Sequence, residues 1–360
     1  MNNKSLLILS ILSIISFFIF SFSGSRIGNS KSETGKDSIV LPGETHLKNI
    51  RQLTFGGENA ECYFSFDGTK FSFQSTRGDQ KCDQIYTMKT DGSEQQMIST
   101  GKGRTTCAYY LPDNKTILFA STHPGNIDCP PNPDFSKGYV WALYDTYDIF
   151  TADENGNILN QLTTEKGYDA EATISPVGDR IVFTSTRNGD IDIYTMNLDG
   201  SDVRQITDES GYDGGPFFSY DGKKIVYRRT SFQNEDEIVK YKELLAEGLI
   251  RPSKLEIWTM NADGSEKTQV TNNGAANFAP YWFPDGKRIL FCSNVEDGKG
   301  RNFDIYMINT DGTGLEKITN YEEFDGFPMF SPDGKKLVFC SNRNGSVKGE
   351  TNVFICDWVD

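Results

Sequence analysis

From residue 49 onward, short apolar runs recur between turn-forming residues. The runs "KFSFQS" (70–75), "TILFAS" (116–121), "RIVFTS" (180–185), "KIVYRR" (224–229), "RILFCS" (288–293) and "KLVFCS" (336–341) are rich in β-branched and aromatic residues. Each follows a turn of the type "SFDG" (65), "LPDN" (111), "SPVG" (175), "SYDG" (219), "FPDG" (283) or "SPDG" (331), where Asp and Gly suit a tight hairpin needing positive φ. These runs predict second strands. Third strands follow as "QIYTM" (84), "DIFTA" (148), "DIYTM" (192), "EIWTM" (256), "DIYMI" (304) and "NVFIC" (352), and a "QLT"-like strand closes most units. Six units of four short antiparallel strands, repeating every ~40–50 residues, predict an all-β fold: a six-bladed β-propeller.

The sixth unit, starting near Glu322, runs into "NVFICDWVD" without a fourth strand. The opening "NIRQLT" (49–54) has the sequence of one. Pairing it with the last blade closes the ring and covers an open sheet edge.

The copies "DIYTMNLDGSDVRQIT" (192–207) and "FSPDGKKLVFCSNRNG" (330–345) resemble the TolB-type propeller repeat, and the resemblance extends over residues 50 to 360. It implies a TolB-like propeller. TolB itself carries an α/β domain before its propeller, and the segment between leader and first strand is too short for one, so a TolB-like protein other than TolB is expected.

Residues 1–25 carry Lys4 and then an uncharged apolar run from Leu6 to Phe22, the pattern of an export signal or, if uncleaved, an N-terminal membrane anchor. No Cys follows it to accept a lipid. Residues 26–48 are polar and read as a flexible linker, leaving 49–360 for the propeller. A periplasmic or extracellular location follows. The net charge of −14, from 36 Lys plus Arg against 50 Asp plus Glu, repels phosphate backbones and argues against nucleic acid. Seven cysteines in an exported chain leave at least one thiol free. Cys292, Cys340 and Cys356 lie in strands and read as small buried apolar residues. Cys82 to Cys129 is the preferred bridge, with Cys107 to Cys129 its competitor.

Nearly all variation between units falls in the loops joining second and third strands, which share one face of the disc. In unit two this loop is "HPGNIDCPPNPDFSKGYVWALYD" (123–145), with Tyr139, Trp141 and Tyr144, and reads either as a lid over the axis or as a loop anchored on its blade. In unit four, Asn234 and Glu237 form a capping box and Gly248 a stop, so a short amphipathic helix is expected, its apolar face made by Ile238, Tyr241 and Leu245.

Aligned on their turns, Asn59, Thr105, Asp169, Asp213, Asn277 and Asp325 occupy equivalent positions where the inner strands begin, with Glu61 and Glu171 two residues further. Such a ring can bind a divalent cation, a protonated amine or a basic peptide, or it can cap local turns. Arg77, Arg187 and Arg343 follow the second strands, with His123 in that place in unit two, and suit bridging between blades or ligand contact. With only His46 and His123 and no G-x-S-x-G, hydrolase chemistry has little to work with, and two His cannot build the clustered His metal site of lyase propellers. The sequence therefore points to a monomeric, non-catalytic module that requires no cofactor and binds an envelope protein or peptide. The alternative is a glycan-binding or metal-dependent carbohydrate-active propeller using the carboxylate ring.

Overall fold

The computed structural model of the chain describes residues 39–297, 300 and 302–360; the leader and linker residues 26–38 lie outside them. Six four-stranded antiparallel sheets form the six blades. Their inner strands are Glu58–Phe64, Thr105–Tyr110, Asp169–Ile174, Asp213–Phe218, Asn277–Trp282 and Asp325–Phe330, and each packs against the inner strands of both neighbouring blades around a closed ring. The same place in each second strand holds a large ring, Phe73, Phe119, Phe183, Tyr227, Phe291 and Phe339, all fully buried. Burial of each is worth about 1.5–3 kcal/mol, so the repeated sequence pattern sets a repeated packing unit.

The recurring Thr of the "QLT" strands has a definite task. Its hydroxyl accepts the first free amide of the third strand, from Ile149 to Thr163 at 2.9 Å, Ile193 to Thr207 at 2.8 Å, Ile257 to Thr271 at 2.8 Å and Ile305 to Thr319 at 2.9 Å. Ser99 does the same for Ile85 in blade 1. In blade 6 the acceptor is Thr54, taking the Val353 amide at 2.9 Å. The opening strand is therefore the fourth strand of the last blade. Leu47–Gln52 pairs antiparallel with Asn352–Trp358, Leu47 opposite Trp358 and Gln52 opposite Phe354.

The expected linker ends sooner than residue 48, because residues 39–46 pack on blade 6. The guanidinium of Arg343 draws in Glu44, which accepts from it at 2.8 and 3.1 Å and from the amides of Leu41 and Asn320. Glu44 is buried. The His46 ring stacks on Trp358 at 4.8 Å.

Two inserts rise from one face. The blade 4 insert forms the expected helix, Glu235–Ala246, with Asn234 accepting the Glu237 amide and Glu237 accepting that of Gln233. Tyr241 buries its ring against Phe232 and hydrogen-bonds Asp190 of blade 3, so the apolar face packs back on the propeller. After the helix, Leu249–Ile250 pairs with Trp141–Ala142 of the blade 2 insert in a two-stranded ribbon. Leu143 extends it, donating to the Gly248 carbonyl at 2.7 Å. No helix among the described residues is long and apolar enough to cross a membrane.

Candidate functional site

Every inner strand shifts register once against its partner, at the third residue of the repeat: Glu61, Cys107, Glu171, Gly215, Ala279 and Phe327. All six have φ between 49° and 59°. Left-handed φ at a residue other than Gly costs energy, and a bulge re-aims the side chain it carries. Here the re-aimed side chains meet in the middle of the ring. All six line a cavity or its floor there, and the upper cavity of about 410 Å³ is roofed by the blade 2 insert through Phe135, Tyr139, Trp141 and Tyr144.

The cavity is built around one ion pair. Arg228, inside the second strand of blade 4, bonds Glu171 of blade 3, and its Nε donates to the Tyr212 hydroxyl at 2.8 Å. Glu171 also accepts from the Tyr212 hydroxyl at 2.8 Å, Thr184 Oγ1 at 2.8 Å and the Gly215 amide at 2.9 Å. The pair of glycines at 214 and 215 makes this arrangement fit. A Cβ on Gly214 would lie 2.6 Å from a Glu171 oxygen, and one on Gly215 3.0 Å from the Arg228 guanidinium. Trp141 lies over that guanidinium from the roof, 5.3 Å from ring centroid to Cζ. At the rim, Arg104 pairs with Asp83 at 3.1 Å.

Glu61 forms no ion pair among the described residues, and Arg228 acts on it only from a distance. Its Oε2 is buried and has no hydrogen-bond partner among the described residues. Burial raises its pKa to about 7, the Cys107 thiol beside it pulls it back down, and the Glu171 carboxylate adds to the rise. Burial, Glu61 and Glu171 together push the Cys107 thiol well up, so it stands as a thiol and lacks the thiolate a nucleophile needs. Because the folded state holds the Glu61 proton more tightly than the unfolded chain, this contribution to stability is full below the usual 4.5 and is lost as pH rises through about 7. Glu61→Gln keeps the uncharged form at every pH. It is expected to melt with the wild type at pH ~4 and to exceed it by on the order of 3 kcal/mol at pH ~9. Equal pH dependence of the two melting curves would contradict the buried, unpaired setting of Glu61.

The residues singled out from sequence divide into two groups. Glu61, Glu171, Thr105, Tyr139 and Trp141 line the cavity. Asn59, Asp169, Asp213, Asn277 and Asp325 are buried one step away, where the two asparagines bond carbonyls of neighbouring blades and all but Asn277 face an arginine of their own blade. Asn59 Nδ2 donates to the Thr351 carbonyl of blade 6, and Asn277 Nδ2 to Leu255 of blade 4. Arg77 donates to Asn59, Arg187 to both Asp169 oxygens at 3.0 Å and Arg343 to Asp325 at 2.8 Å, while Asp213 faces Arg229 at 3.6 Å. The two sets read separately in the sequence are thus partners within single blades. His123 bonds Ser121 and packs at a tilt against Phe150, outside the cavity. Among the described residues no three side chains of His, Cys, Asp or Glu converge as metal ligands.

Sequence reasoning passed over Arg228 and Tyr212, and weighed Cys107 only as a competing disulfide partner. A signal for Arg228 exists, since "KIVYRR" carries charge where the other five second strands end in small or polar residues. The disulfide joins Cys82 of blade 1 to Cys129 of the roof loop, leaving Cys107 free. It anchors the roof's leading end and is consistent with an oxidising compartment.

Residues 132–247, from the roof through blade 3 to the blade 4 helix, match the family described as TolB beta propeller domain. A stretch of 39 residues is 49% identical to dipeptidyl-peptidase 5 of Porphyromonas gingivalis, covering 11% of this chain and only 6% of that protein's length. Among solved structures, a putative TolB from Agrobacterium tumefaciens superposes with a TM-score of 0.57 at 16% identity, covering 86% of this chain and 97% of that one. TolB from Acinetobacter baumannii gives 0.52 at 18%, covering 84% and 64%. At such identities the likeness speaks for the fold alone. With six blades closed by the opening strand and the TolB propeller model matched over residues 132–247, this chain is a six-bladed β-propeller similar in fold to those of TolB.

Proposed function

We propose that this chain is an exported, non-catalytic binding module of the cell envelope that takes a short segment of a peptide or protein into its axial cavity. The observation that carries this reading is the cavity itself: about 410 Å³, roofed by aromatic side chains, with the carboxyl of Glu61, which forms no ion pair among the described residues, at its wall. That volume lies within the range of small-ligand sites and admits a side chain or a chain end, not a folded domain. The apolar leader and the Cys82–Cys129 bridge support export.

Selection of a displayed random peptide library on the immobilised protein tests it. Enriched peptides should lose about tenfold or more in affinity for Trp141→Ala, since a buried Trp is a frequent energetic anchor. Failure to enrich any peptide, or enriched peptides indifferent to Trp141, would end the reading. The roof also favours a second one, because Tyr139, Trp141 and Tyr144 offer ring faces on which a sugar stacks. Trp141-dependent retention on a glycan array, with no peptide enriched, would transfer the site to glycans.

A further inference from the structure

We infer that the axial cavity selects a ligand bearing a single ammonium group, with Glu61 as its counter-ion; this rests on the binding role proposed above and names the chemistry bound. The charged side chains lining the cavity are three carboxyls, Glu61, Asp83 and Glu171, and two guanidiniums, Arg104 and Arg228. Two ion pairs, Glu171 with Arg228 and Asp83 with Arg104, use four of the five. Glu61 is left over, and one positive charge balances the site.

The form of that charge follows from the acceptor. Glu61 lines the cavity from a strained bulge that fixes its direction, and its Oε2 is sealed from solvent without a partner, so a ligand meets the carboxyl from one side only. A guanidinium needs an acceptor for more than one of its nitrogens, which Arg228 finds in Glu171 and the Tyr212 hydroxyl together, whereas an ammonium is satisfied by a point acceptor. A divalent cation needs several oxygen ligands, and among the described residues no three ligating side chains converge. An anion would meet the unbalanced carboxyl. The groups facing Glu61 are Cys107 from blade 2, Glu171 from blade 3, Arg228 from blade 4, Cys340 from blade 6 and, on its own blade, Asp83 and Tyr63. With the Glu61 pKa at about 7, an arriving ammonium displaces a proton, so affinity rises from pH ~5 to pH ~8 and then levels.

Calorimetric titration with n-butylammonium chloride, and with N-butylacetamide as its neutral counterpart, tests this on the whole chain. The ammonium should bind about tenfold or more tightly than the amide at pH ~8, with proton release near pH ~6 that varies with the buffer's ionisation heat. Glu61→Gln, checked for an unchanged circular dichroism spectrum, should remove that preference and leave amide binding alone. Equal binding of the two probes, or a preference that survives Glu61→Gln, overturns the inference. Library peptides then separate it from its parent: peptides that bind through Trp141 yet tolerate acetylation of every amine leave the binding role standing and sink the ammonium. Peptides with a blocked amino terminus and one Lys, compared with peptides having a free terminus and no Lys, distinguish the two sources of the group.

Discussion

Arg228→Ala is expected to destabilise the propeller by about 3–5 kcal/mol, the usual cost of leaving one partner of a buried ion pair alone. Glu171 would keep its hydrogen bonds from Tyr212, Thr184 and the Gly215 amide but lose the only cation within reach of its carboxylate among the described residues. The double variant Arg228→Met with Glu171→Leu removes both charges at similar volume and should recover most of that loss. Urea midpoints measure both. If the single and double variants fall equally, the pair's charge is not what matters, and the packing of Arg228 under Trp141 and against Tyr212 would be the reason instead.

Removing residues 39–54 should cost on the order of 5 kcal/mol or more, because it takes away a strand, two buried leucines and the partner of a buried guanidinium together. Leu47 and Leu53 are buried, and Glu44 holds Arg343 from one side while Asp325 holds it from the other. The loss should appear first in blade 6. Amide exchange along Asn352–Trp358 is expected to accelerate before that of the other third strands. Uniform acceleration around the ring, or an unchanged melting temperature, would show that the opening strand does not hold the last blade.

The architecture was readable because it is written six times. The Asp-Gly turns, the buried aromatic of each second strand and the Thr, or in blade 1 the Ser, that closes each fourth strand have fixed tasks, and Thr54 identifies the opening strand as readily as Thr207 identifies its own. The centre of the site was less readable. Asp169 and Glu171 lie two apart and alternation alone puts them on one face, but the intervening bulge sends Glu171 to the cavity and leaves Asp169 to Arg187. Nothing in the residue types announces that bulge, since its positions hold Glu, Cys, Glu, Gly, Ala and Phe. Glu61 was noticed only as a neighbour of the ring, while Arg228 lay in what reads as a buried strand. The linker boundary failed for a related reason, as the polar segment around Glu44 is ordered by a charge partner far along the chain.

The ribbon of Trp141–Ala142 with Leu249–Ile250 also has a consequence in time. Its two halves are separated by the whole of blade 3, and neither insert carries the other's partner strand. As the chain emerges and blades assemble in order, the roof is completed only once blades 2, 3 and 4 stand side by side. The roof therefore rests on a closure of only a few backbone hydrogen bonds that spans three blades. Because Ala279 of blade 5 and Phe327 of blade 6 belong to the floor, the roof's ribbon precedes the completed floor in that order.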